Sequence, residues 1–181
     1  CQKLIYIDVE RARFELSALL NNSKTILEKI RFVIFDLSEE LTESLDIKFL
    51  LNEYIQRFKF KNKINVNLVS SGDFYGFDAS KKRELFYIVR EALNNIVKHS
   101  GAKNAVVELN LKEDGLALSI KDDGCGFELE EALFNAEEKK SFGLVSMKER
   151  ARLLGGRLDI TTAKDKGTQI NVFVPSGGME E

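Results

Sequence analysis

The sequence predicts an α+β fold, with helices on one face of a mixed, mostly antiparallel sheet and a helical hairpin ahead of it. Three observations carry this. Residues 1–41 hold two apolar seams of heptad type, while residues 64–174 mix short alternating segments with longer helical ones. The Glu113-Asp114-Gly115 and Lys166-Gly167 turns each sit between alternating segments, so each makes an antiparallel hairpin. Helices gathered on one side of such a sheet give a two-layer sandwich.

The elements follow in chain order. Ile5, Val9, Ala12, Leu16 and Leu19 recur at steps of four and three, and so do Leu27, Ile30, Ile34, Leu37 and Leu41. Asn21-Asn22-Ser23 splits them into a hairpin. One hairpin buries both seams poorly, so two copies pairing as a four-helix bundle is the expected solution, with a hairpin packed on its own second region as the alternative. A charge-rich break from Glu39 to Asp46 closes this first region, taken as residues 1–45, and residues 46–181 form the second. Ile47, Leu50, Leu51, Tyr54, Ile55 and Phe58 open an amphipathic helix, and Ile64, Val66 and Leu68 make a strand ending at Ser70-Ser71-Gly72.

From Ser80 to about His99, Leu85, Ile88, Val89, Ala92, Leu93, Ile96 and Val97 mark the buried face of a helix, with Asp78 or Ser80 as its cap. Leu116, Leu118 and Ile120 alternate with polar neighbours as a half-buried strand. Met147, Ala151 and Leu154 give a later helix its apolar face, and Ile170, Val172 and Val174 a last strand. The polar, weakly patterned stretch 127–142 reads as a short lid.

Composition excludes more than it assigns. The net charge is −2 with both signs interspersed, so no nucleic-acid stripe is implied. No apolar run nears the roughly 18 residues that span a bilayer, and no membrane contact is expected of this fragment. Cys1 and Cys125 are too few for a disulfide framework, and Cys125 is expected to be a small filler, with a redox-sensitive thiol as the alternative.

Chemistry concentrates in two stretches. On the helix, Glu91, Asn95 and Lys98/His99 fall at i, i+4 and i+7/i+8 and share one side. A carboxylate, an amide oxygen and a cation on one edge suit a phosphate-bound Mg²⁺, which takes few protein ligands. A solvated polar stripe is the plain alternative. At the strand end, Asp122 precedes Gly124 and Gly126, which let a ligand approach the backbone closely. The carboxylate can accept from an exocyclic amine such as adenine's; an ordinary Asp-Gly turn is the alternative. Gly143, opening a helix, can present N–H groups to phosphates, and the Thr168 hydroxyl can complete a base-recognition network.

Taken together, Arg90-Glu91-Ala92-Leu93-Asn94-Asn95 with Lys98-His99-Ser100, Lys121-Asp122-Asp123-Gly124 with Gly126-Phe127, Phe142-Gly143-Leu144 with Met147-Lys148-Glu149-Arg150, and Gly167-Thr168 resemble the ATPase fold of gyrase, the heat-shock chaperone, the mismatch-repair ATPase and histidine kinases. The resemblance is closest to the DesK/NarX/DegS-like sensor histidine kinases and covers nearly the whole chain. It implies that Asn95 ligates Mg²⁺ and Asp122 holds the adenine amine. Gly124 and Gly126 would line the base pocket, Gly143 and Leu144 would lie by the phosphates with Lys98, and Thr168 would sit behind the base; His99 would pack or contact phosphate, a partly buried helix residue being the plain alternative. Glu91 stands where hydrolysing relatives keep a general base.

The resemblance further implies ATP and Mg²⁺ as cofactors and a homodimer formed through the N-terminal helices. It implies a cytoplasmic kinase core that passes phosphate to a histidine and then to a response-regulator aspartate. His99, the one histidine, belongs to the nucleotide helix, so the acceptor is expected just before Cys1, and Gln2 would orient the water that dephosphorylates the partner. An ATPase using Glu91 as base and a dimerisation module with a degraded pocket are the competing readings. Ser146 replaces the usual second lid glycine.

Overall fold

The computed structural model describes residues 11–17, 19–20, 46–74, 78–129 and 143–176. Gln2, Phe142, the second hairpin seam and most of the expected lid lie outside the described residues. The chain divides into two compact units, Cys1–Thr42 and Glu43–Glu181. In the first, residues 11–17 and 19–20 are helical; Ala12 is buried, while Phe14, Leu16, Leu19 and Leu20 are exposed.

The second unit begins with α1 (Ile47–Asn62), capped by the Asp46 side chain, which accepts from the Lys48 amide at 2.9 Å. Lys59 and Lys61 lie in its last turn, where cations complement the helix dipole. β1 (Asn65–Ser71) leads to α2 (Ala79–Asn95). Asp78 is its cap, accepting from the Ser80 amide at 2.6 Å. β2 (Asn104–Lys112), β3 (Gly115–Asp122), α3 (Gly143–Leu153), β4 (Arg157–Thr162) and β5 (Thr168–Pro175) complete the unit.

The sheet order is β1-β2-β3-β5-β4. β1 and β2 are parallel, joined through α2, and every other pair is antiparallel. Register aligns the apolar residues in rows across the strands. Leu109, Leu118, Val172 and Leu158 form one row, and Val107, Ile120, Ile170 and Ile160 the next. Nearly all of these are buried, whereas Glu108, Ser119, Asn171 and Asp159 alternate onto the open face. Against the covered face pack Ile47, Leu51, Ile55 and Phe58 of α1, and Leu85, Ile88, Val89, Ala92 and Leu93 of α2. Tyr54 joins the two helices through an edge contact with Phe86, ring centroids 5.3 Å apart.

The helix expected to run to His99 changes character before it ends. Residues Ile96–Ser100 form a π turn, closed by Gly101 at φ 62°. Val97, assigned to the buried face by α-helical spacing, is 42% exposed. The i→i+5 turn takes in an extra residue, so the α period no longer carries Val97 onto the face of Leu93.

Candidate functional site

Next to the apolar rows, the same buried face of the sheet carries a polar row. Asp122 on β3 pairs with Thr168 on β5, which pairs with Thr162 on β4. Asp122 is only 5% exposed. Burial raises its carboxyl above the ordinary 3.8, opposed by the Gly124 amide, which donates to Oδ1 at 2.8 Å. A buried acid of this kind is an acceptor held for a donor. Thr162 Oγ1 accepts from the Phe127 amide at 3.1 Å and donates to the Gly167 carbonyl at 3.1 Å. It lies 3.3 Å from Thr168 Oγ1, so the Thr168 hydroxyl can donate to Thr162 or into the space beside Asp122.

The loop after β3 is held from two sides. The Cys125 amide donates to Ser100 O at 2.8 Å, at the end of the π turn, and the Asp165 amide donates to Cys125 O at 2.6 Å. Gly126 has φ 59°, and a Cβ there would run into the Ala163 carbonyl. Asp123 points away from Asp122's work. Its Oδ1 accepts from the Lys103 and Asn104 amides at 2.9 Å each, and its Oδ2 from Asn104 Nδ2 at 2.7 Å. The Asn104 amide first, then its side chain, holds the Asp123 carboxyl below the usual carboxylate range.

Above the sheet, Gly143 begins α3 against α2. A Cβ on Gly143 would stand 2.5 Å from Glu91 Oε1 and 3.5 Å from Asn95 Nδ2. Glycine therefore lets the helix start approach these two side chains. Together the walls enclose a cavity of about 520 Å³, within the ~300–1,000 Å³ of ordinary ligand pockets. Ile120, Ile170, Ala92 and Ile96 give it an apolar floor. Asp122 and Thr168 stand at one end, and Glu91, Asn95, Lys98 and His99 line the helix side. An apolar slot with a buried acceptor suits a flat heterocycle bearing an amine, and the Lys98 ammonium on the helix side suits phosphates.

The donor set also fits a hard divalent ion. Asn95 offers an amide oxygen and Glu91 a carboxylate on the same wall. Among the described residues no group of three His, Cys, Asp or Glu would hold a metal unaided. An ion here would complete its shell from phosphate oxygens and water.

Glu91, Asn95, Lys98, His99, Asp122, Gly126, Gly143, Leu144 and Thr168, all named from the sequence, line this one cavity. Gly124 does not. It packs beneath the loop, where a Cβ would meet Ser100 and the Asp122 carboxylate. Cys125 is exposed rather than a filler, with its thiol 3.4 Å from His99 O. Sequence reasoning missed Thr162, and it quoted Phe127 and Ser100 within the motifs without giving either a role in the site. Thr162 ends β4 in a Thr161-Thr162 pair six residues before Thr168, which is a weak signal without the strand register.

A family described as the histidine kinase-, DNA gyrase B-, and HSP90-like ATPase matches residues 80–178, more than half of the chain. A sensor-like histidine kinase of Chloroflexus aurantiacus is 33% identical over 96% of this chain and 30% of its own length. The histidine-protein kinase/phosphatase DegS of Brevibacillus brevis is 32% identical over 94% of this chain and 44% of its own. This chain thus spans less than half of either relative. Among solved structures, the histidine kinase domain of the blue-light activated histidine kinase from Erythrobacter litoralis shares the fold. Its TM-score is 0.60 at 19% identity, over 75% of this chain and 63% of that one. The matched segment contains α2, the Asp122–Thr168 row and the start of α3, and the chain belongs to the histidine kinase-, DNA gyrase B- and HSP90-like ATPase family.

Proposed function

We propose that this chain is the ATP-binding core of a sensor histidine kinase, acting in the cytoplasm as a homodimer through its N-terminal helices. The observation that carries the reading is the buried Asp122 and its strand partner Thr168, which share one cavity with the Glu91/Asn95 wall. Asp122 accepts the adenine amine, and Thr168 completes the contact to the base edge. The apolar floor excludes water from the ring. Asn95 would hold Mg²⁺, which would supply neutralisation of the phosphate charge, and Glu91 would orient water or metal beside it. Lys98 and His99 face the phosphates at the mouth.

Transfer forms a bond between an imidazole nitrogen and the γ-phosphorus and breaks the bond to the β-phosphate oxygen, releasing ADP. His99, which lines the cavity, is assigned to the nucleotide, and the acceptor role to a histidine outside these 181 residues. A response-regulator aspartate then takes the phosphoryl group. Gln2 is assigned to the reverse, dephosphorylating reaction.

The test is calorimetric titration of Mg²⁺-ATP into this chain, beside Asp122→Ala and Asn95→Ala. Saturable binding lost in Asp122→Ala, with loss of magnesium dependence in Asn95→Ala, supports the reading. No binding to the unmodified chain sinks it. Incubating the full-length protein with γ-labelled ATP should give an acid-labile, base-stable protein label. Steady phosphate release that vanishes in Glu91→Ala, without such a label, would favour hydrolysis instead.

A further inference from the structure

Arg90 and Arg150 belong to the motifs of α2 and α3, yet neither lines the cavity. Both guanidinium groups lie over the ring of Tyr87, at 4.4 Å and 4.5 Å from its centroid. Arg150 also donates from Nη1 to Glu84 Oε2 at 2.6 Å, in a half-buried ion pair. The pairings share one register. Gly143 meets Glu91, and Arg150, seven residues further along α3, meets Glu84, seven residues back along α2. Seven residues are about two helical turns, so α2 and α3 run antiparallel here with matched contacts at both ends.

We propose that Arg150 is a positioning residue: through Glu84 and Tyr87 it fixes the register of α3 on α2, and so sets the N-terminus of α3 against Glu91 and Asn95 at the phosphate end of the cavity. The need for such a device follows from α3 itself. Only Met147 and Ala151 are buried on this helix, and a small apolar face resists sliding weakly. A planar guanidinium that both pairs with a carboxylate and stacks on a ring fixes position and angle together. The base end of the cavity is lined by Ile120 and Asp122 of β3 and Thr168 and Ile170 of β5, strands that carry none of Glu84, Tyr87 and Arg150.

This inference rests on the nucleotide reading above and predicts an asymmetric defect. Binding of Mg²⁺-ATP is measured by calorimetry. Adenosine binding is followed by amide chemical shifts at millimolar concentration, and hydrogen exchange is read at the amides of residues 144–147 without nucleotide. In Arg150→Ala, ATP affinity should fall about tenfold, the loss of one good charged contact. Glu84→Gln should move it the same way by less, while adenosine affinity stays unchanged. The 144–147 amides should exchange faster in both, and those of β3 should not.

Unchanged ATP affinity with unchanged exchange in both variants would overturn the proposal. So would an equal loss of ATP and adenosine, which would mark Arg150 as holding the whole domain. If the unmodified chain binds no ATP, the nucleotide reading fails by itself, and the exchange measurement still decides whether Arg150 sets the α3 start.

Discussion

The Cys125 amide donates to the Ser100 carbonyl at 2.8 Å, and this bond ties the loop after β3 to the end of the nucleotide-facing helix. The two residues stand 25 positions apart in sequence (100 to 125). Ser100 is the last residue of the π turn Ile96–Ser100, where carbonyls have no partner within the helix. The Ser100 hydroxyl meanwhile donates to Ile96 O at 2.9 Å and accepts from the Ala102 amide at 3.0 Å. Helix end, loop and sheet thereby become one wall of the cavity.

Asp122 should trade stability for binding. Burial raises its folded carboxyl above 3.8, so the folded state favours the protonated form. Its effect on stability is most favourable below 3.8 and worsens as pH rises through the raised folded value. Asp122→Asn should therefore raise the Tm of the nucleotide-free protein at pH 7, with the gain vanishing below pH 3.8, while ATP affinity falls. Thermal unfolding at both pH values, with calorimetry at pH 7, checks this. A lower Tm at pH 7 would contradict it.

Asp123 should show the opposite sign. Its folded carboxyl lies below 3.8 because Asn104 and Lys103 donate to it. The stability it contributes is present above 3.8 and lost as pH falls through the lower folded value. Asp123→Ala should lower Tm at pH 7 and match the unmodified protein in strong acid.

Gly126 and Gly101 separate sterics from backbone conformation. Both have positive φ, at 59° and 62°. A Cβ on Gly101 meets nothing within 4 Å, whereas on Gly126 it meets the Ala163 carbonyl. Gly101→Ala should cost about 1–2 kcal/mol, the left-handed penalty alone. Gly126→Ala should cost more and abolish ATP binding, because the loop must leave the β4–β5 turn. Denaturant unfolding of both variants measures the difference.

Thr162 should matter although it is not a cavity residue. Thr162→Val removes the acceptor of the Phe127 amide and the donor to Gly167 O. Leaving a half-buried amide unpaired costs about 1–3 kcal/mol. Serine in its place restores the hydroxyl and should recover most of both stability and ATP affinity.

What was legible in the sequence was whatever depends on local period and short motifs. The alternation of Leu116, Leu118 and Ile120 gave β3, and Asp122 follows that period onto the buried face. Glu91 and Asn95 share a side because they are four residues apart, and the structure keeps both on the cavity wall. The turns at Glu113–Gly115 and Lys166–Gly167 became the β2–β3 and β4–β5 hairpins.

Tertiary structure decided the remainder, since it turns on which strand lies beside which. Thr162 reaches Thr168 only because β4 pairs with β5 in that register, and Gly124 yields the cavity to Gly126 because Ser100 stands over it. The π turn likewise answers to the loop docked on it, and α-helical spacing places Val97 on the wrong side. Local spacing assigns a residue to a face; the hydrogen bonds that segments form with one another choose which residues on that face meet.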